Sequence, residues 1–139
     1  MIILKNKGGV SSFDEGSKIV TSVYKGRASI FLAKEHLRAL MEFYNSEEAV
    51  GAIVNISGIY GSFSKLLDYL EDEFYPYVQS KGLKAQAYVV SDDLILSNLS
   101  KRLSSIVALQ NIAVKIFKDE IEAEKWLKTC LSKKQISSI

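Results

Sequence analysis

The chain has one cysteine, one histidine, one proline and one tryptophan in 139 residues. A single cysteine excludes an internal disulfide, which fits a reducing compartment, and a cytoplasmic location is expected. One Cys and one His cannot build a Cys/His zinc cluster, which takes about four ligands. No metal site and no cofactor is therefore expected. No apolar run approaches the ~20 residues that span a bilayer. The opening MIILKNKGGV reaches a lysine after four apolar residues, so no signal peptide is expected. An excess of one charge is also missing. The net charge of +2 is too small to argue for nucleic acid, which is not expected as a partner.

What is present suffices for a core. The length suits one domain, and 47% of the residues are hydrophobic. Residues 1–131 read as that domain and residues 132–139 as a C-terminal tail. Charge is unevenly distributed. Residues 1–34 carry six Lys/Arg and two Asp/Glu, residues 35–99 four and ten, and residues 100–139 eight and four. Solvated helix faces account for such runs, and a docking surface for a basic partner is the functional alternative.

Ile2 to Leu4 reads as a short edge strand. Val10–Phe13 and Lys18–Tyr24 flank Asp14-Glu15-Gly16-Ser17, a hairpin pattern. Lys25-Gly26-Arg27 reads as the end of the second strand. Ser29 is a candidate N-cap for a helix with Ile30, Ala33, Leu37, Leu40, Met41 and Tyr44 at helical spacing. Ala49–Val54 is a near-continuous apolar strand, implying cover on both sheet faces. Ser62 or Ser64 is placed to cap the next helix, whose stripe is Phe63, Leu66, Leu67, Leu70 and Phe74. Pro76 is expected to kink or restart it. Ala85–Val90 and Ile112–Phe117 are further strands. The helix between them is expected to bury Leu96, Leu99 and Leu103. The last helix opens at Asp119 and has Ile121, Ala123, Trp126, Leu127 and Cys130 as its inner face. Strands alternating with helices predict an α/β fold with a mostly parallel sheet.

Several stretches resemble one family. Val23-Tyr24-Lys25-Gly26-Arg27 before the first helix, and Ile53-Val54-Asn55-Ile56-Ser57-Gly58, resemble the first turn and the central strand of the STAS superfamily. Phe74-Tyr75-Pro76, Gly82-Leu83, Tyr88-Val89-Val90-Ser91-Asp92-Asp93, Phe117-Lys118-Asp119, Glu122-Ala123 and Trp126-Leu127 are similar to the small bacterial SpoIIAA-like proteins, a group sometimes classed with the CRAL-TRIO lipid carriers. The resemblance implies a mixed sheet of four to five strands with a parallel core and about four helices. It also implies a regulatory, protein-binding module. In the antagonists of this family an Asp-Ser-Ser-Gly-like motif carries a phosphorylated hydroxyl. Here that place reads Gly61-Ser62-Phe63-Ser64-Lys65, without the acid before the serine or the glycine after it.

The junction after the central strand concentrates the candidate chemistry, because ligands of open α/β sheets dock at strand carboxyl ends. Ser57, Gly58, Tyr60, Gly61, Ser62 and Ser64 are candidates for phosphorylation or partner contact. Gly58-Ile59-Tyr60-Gly61 follows a strand, unlike the GXXG loop of a KH domain, and no Gly-Lys-Ser/Thr ending makes a P-loop. Tyr69, Tyr75 and Tyr77 are candidates for a ligand or partner surface. His36, read as lying on the polar side of its helix, has no evident catalytic partner, and Cys130 reads as packing against Trp126. A non-catalytic protein-binding module is thus the leading expectation, with a homodimer possible. A binder of a small lipophilic or anionic ligand, resembling the CRAL-TRIO carriers, is the alternative, and an enzyme ranks third. The lipophile carrier would show an apolar pocket lined by the second and third helices.

Overall fold

In the computed structural model, which describes residues 1–95 and 98–137, three strands open the chain. They are β1 (Ile2–Asn6), β2 (Gly9–Asp14) and β3 (Ile19–Arg27), paired antiparallel. Side chains set both turns. Asn6 Oδ1 accepts the Gly8 and Gly9 N–H groups at 2.7 and 3.1 Å. Asp14 Oδ2 accepts the Ser17 N–H at 3.1 Å and its hydroxyl at 2.6 Å, the local bonding for which Asx residues are favoured in turns.

β4 (Gly51–Tyr60), β5 (Ala85–Val89) and β6 (Ala113–Phe117) then add in parallel beside β3. The result is an α/β fold whose mixed sheet has a parallel core and the spatial order β1-β2-β3-β4-β5-β6. Six strands replace the expected four to five. The short N-terminal run is a full sheet member, held at its start by paired bonds between Met1 and Phe13. β3 is also longer than expected. Lys25-Gly26-Arg27 does not end it but pairs with Gly58, Ile59 and Tyr60 of β4.

Helical chain follows each of the last four strands. α1 (Ile30–Ser46) is capped by the Ser29 hydroxyl, which accepts the Leu32 N–H at 3.3 Å. After β4 comes a 3₁₀ turn (Ser64–Leu66), α2 (Leu67–Tyr69), a π-helical stretch (Leu70–Phe74) and α3 (Tyr75–Ser80). Pro76 explains this broken course. It offers no N–H and its ring opposes a normal helical turn. The chain widens ahead of it, with the Tyr75 N–H reaching the Leu70 carbonyl, and proline then sits in the first turn of α3. α4 (Asp92–Ile95) and α5 (Asn98–Ala108) lead to β6, and α6 (Glu120–Ser137) closes the described chain. Leu96, expected on the buried side of the third helix, lies outside the described residues. The segment read as a tail from Ser132 is helical as far as Ser137.

Strands added one after another in one direction, through right-handed crossovers, put their helices on one face. Accordingly Leu37 and Leu40 of α1, Leu67, Phe74 and Val78 of the segment after β4, and Leu103 and Val107 of α5 share one core with Val20, Ala52 and Ile56 of the sheet. α6 covers the other face. Its Ala123, Leu127 and Leu131, spaced by four, meet Ile19, Ile53, Ala87 and Val89. Ile121, expected on this inner face, is 65% exposed instead. All five residues of β5 are buried, as cover on both faces requires.

Candidate functional site

Between α1, the sheet and the segment after β4 lies a cavity of about 110 Å³ with a predominantly apolar lining. Small side chains leave the space. Ala33 of α1 and Ala52 of β4 line it where larger residues would meet. Leu37, Ile56, Leu70 and Phe74 form much of its wall. It is thus built on the first helix and the segment after β4, and α5 contributes Leu103. The expected lining by the second and third helices omitted α1. Three lining residues are exposed, namely Lys25, Arg27 and Ser62, and they mark where the cavity opens, at the carboxyl ends of β3 and β4.

Two buried polar clusters border it. On the floor, the Tyr75 and Tyr88 hydroxyls are 2.5 Å apart and Gln86 Nε2 donates to the Tyr75 oxygen at 2.6 Å. Burial pushes the Tyr75 phenol up to about 12, and Tyr88 rises well above the ordinary range for the same reason. Both tyrosines are neutral hydrogen-bonding groups at neutral pH. Tyr75 is 2% exposed and lines the cavity, which takes it off an exposed partner surface and leaves the ligand-facing role for which it was equally a candidate.

The second cluster runs from the cavity to solvent. Ser22 lines the cavity, and its hydroxyl is 2.7 Å from that of Ser11. Ser11 Oγ is 2.8 Å from His36 Nδ1, and His36 Nε2 is 3.0 Å from Asn6 Oδ1. Asn6 Nδ2 donates to the Leu32 carbonyl and to Glu35 Oε1 at 3.2 and 2.7 Å. The directions follow from these partners. Asn6 Oδ1 already accepts two backbone N–H groups, so His36 Nε2 carries the ring proton. Nδ1 then accepts from Ser11, and Ser11 accepts from Ser22. His36 is fully buried, contrary to the polar placement expected, and burial holds its pKa below the usual histidine range. Its spacing from Ala33, Leu37 and Leu40 already places it beside the buried stripe of α1.

The serine–glycine candidates lie together but not as a loop. Ser57, Gly58 and Tyr60 are in β4, because the longer β3 supplies them with partners. Asn55 Oδ1 accepts both the N–H and the hydroxyl of Ser57, at 3.0 and 2.6 Å. Gly61 opens the three-residue connection that ends at Phe63, at φ +89°, a value that favours glycine. Neither serine caps the helical segment. Phe63 holds that position without a side-chain bond. Ser62 Oγ accepts the Ser64 N–H at 3.3 Å and donates to Ser64 Oγ at 3.1 Å. All six candidates from Ser57 to Ser64 are exposed. Tyr69 and Tyr77 are half-buried, with Lys34 and Lys81 over their rings at 5.0 and 5.5 Å.

Among the described residues no group of His, Cys, Asp and Glu is placed to hold a metal ion. Among them, too, no helix is long and apolar enough to cross a membrane. No protein-family model and no curated protein matches the chain.

Proposed function

We propose that this chain is a non-catalytic binding module that takes a small lipophilic molecule into the cavity between α1 and the sheet. The observation that carries this reading is the cavity itself, an apolar space of about 110 Å³ with an exposed opening. Removing apolar surface from water supplies roughly 25 cal/mol per Å². An apolar cavity of about 150 Å³ is large enough for a benzene-sized guest. The space here, about 110 Å³, is smaller, so it encloses a short branched chain and takes a single ring only with part of the ring in the opening. The polar groups at its border are bonded to one another, as a binding site for apolar matter requires.

The test is titration with indole, followed by amide chemical shifts. Shifts are expected at Ala33, Leu37, Ala52 and Ile56, with a rise in melting temperature. Ala33→Phe should fill the space and abolish both effects while circular dichroism shows the fold intact. Absence of binding by indole and by other single-ring lipophiles overturns the reading.

A second reading is favoured by the joint exposure of Ser57, Gly58, Tyr60, Gly61, Ser62 and Ser64 on one edge. It is the regulatory, protein-binding role implied by the resemblance to SpoIIAA-like proteins. Under it Ser62→Asp changes capture of a protein partner in pulldowns from native lysate. Unchanged capture, with no phosphate on Ser62 or Ser64 in protein from its native cell, removes it.

A further inference from the structure

We infer that the molecule taken into the cavity is a small neutral ketone whose carbonyl oxygen accepts a hydrogen bond from the Tyr75–Tyr88 pair on the floor. This rests on the lipophile-binding reading above and names the class of molecule. The sheet places the pair. Ser22, Val54 and Tyr88 stand in one row across β3, β4 and β5, and Val20, Ala52 and Gln86 in another. All six line the cavity. Ala52 is the cross-strand neighbour of Gln86, so the space left by its small side chain adjoins the polar cluster. Tyr75, the first residue of α3, reaches that cluster from the segment packed over the sheet.

Both phenol oxygens have a partner, but the protons of the pair outnumber its acceptors. The Tyr75 oxygen accepts from Gln86 Nε2 at 2.6 Å and lies 2.5 Å from the Tyr88 oxygen. One phenol donates in that short bond. The other keeps its proton, and no acceptor for it is present among the described residues. Burial pushes both phenols up, so neither loses its proton at neutral pH. A buried donor without an acceptor is costly. A water taking this proton finds few further partners among walls built of Leu37, Ile56, Leu70 and Phe74.

The fitting ligand group brings an acceptor and no charge. Lys25 and Arg27 are the only charged residues among the described lining. They alternate with Ser22 and Tyr24 along β3, so they carry their charges to the other face of the sheet. Burying a charge away from partners is costly, which excludes a carboxylate or an ammonium group inside. An alcohol would add one more proton in need of an acceptor. A carbonyl oxygen brings lone pairs alone. The short branched chain that the space encloses supplies the rest of the molecule.

The experiment uses 3-methylbutan-2-one with an isotopically labelled carbonyl carbon, and the matched hydrocarbon 2-methylbutane. Amide shifts give both affinities, and infrared spectra report the carbonyl stretch, which falls in frequency when the oxygen accepts a hydrogen bond. In the wild-type protein the bound ketone is expected to absorb below its position in hexane. Tyr75→Phe with Tyr88→Phe and Gln86→Leu replaces the cluster by apolar groups of similar shape, a change that stability tolerates. In that variant the ketone should lose about fivefold in affinity, the effect of one lost hydrogen bond, while hydrocarbon binding is kept. Its stretch should return to the hexane position. If the wild-type band already lies there, if the variant keeps the shifted band, or if only the hydrocarbon binds, the ketone inference falls and the cavity reading stands. The wild-type band decides alone should the variant fail to fold. If neither compound binds and indole also fails, both fall together.

Discussion

His36 is neutral in the fold because its Nδ1 lone pair is used by Ser11 and its surroundings are dry. Adding a proton to Nδ1 would force the Ser11 hydroxyl to turn and the Ser22–Ser11 bond to reverse. The unfolded chain has no such restriction and takes up the proton near pH ~6.5. Since the folded pKa is lowered, the unfolded state binds more protons as pH falls through that value, so stability declines toward acid. Wild-type melting temperature should fall between about pH 7 and about pH 5, and His36→Gln should flatten that slope. At pH 7 the same variant should cost about 1–3 kcal/mol, because Ser11 and Asn6 lose a buried partner. Melts of the two proteins across this range check both expectations, and an equal slope in the variant would assign the decline to other groups. Glu35 also bears on this residue, raising its pKa in opposition to burial.

At the scale of elements, the close seat of α6 on the sheet depends on Gly51, the first residue of β4. A Cβ placed there would lie 2.8 Å from Leu131 Cδ1 and 3.3 Å from Leu127 Cδ2. The helix can therefore rest directly on the strand. Gly51→Val should push α6 outward and cost about 1–3 kcal/mol by overpacking. Trp126 reports on this, since it lies on α6 with its ring 5.7 Å from that of Phe117. Its fluorescence should shift to the red in the variant, as measured in the folded baseline of a urea titration. An unshifted spectrum with full stability would show that Leu131 simply turns aside. The segment after β4 is the opposite case. Its broken helical course follows from Pro76, and it brings Leu66, Leu70, Phe74 and Tyr75 to the cavity wall.

At the scale of the whole molecule, the order of strands and helices was open to reading from local chemistry. The Asp14–Ser17 turn, the Ser29 cap and the apolar run of β4 each depend on neighbours a few residues away. Helical spacing likewise marked Leu37, Leu40 and Tyr44, and Leu66, Leu67, Leu70 and Phe74, as core, and these are buried, while Ile30, Ala33, Met41 and Phe63 of the same stripes are half-buried. The extra length of β3 and β4 was not legible, because Lys25-Gly26-Arg27 and Ser57-Gly58 look like chain ends until each meets the other. The burial of Tyr75 was not legible for a related reason. Its burial comes from Tyr88 and Gln86, which lie on a strand beyond a helix and a turn. By itself, then, the sequence determined the α/β alternation, its caps, its turns and most of its apolar faces, because those rest on periodicity and on bonds between near neighbours. Only the tertiary structure decided the full length of β3 and β4, the hydrogen-bonded course from buried Ser22 out to exposed Glu35, and the cavity between α1 and the sheet. Each of these is made by residues distant in the chain, whose meeting depends on how the helices pack across the sheet.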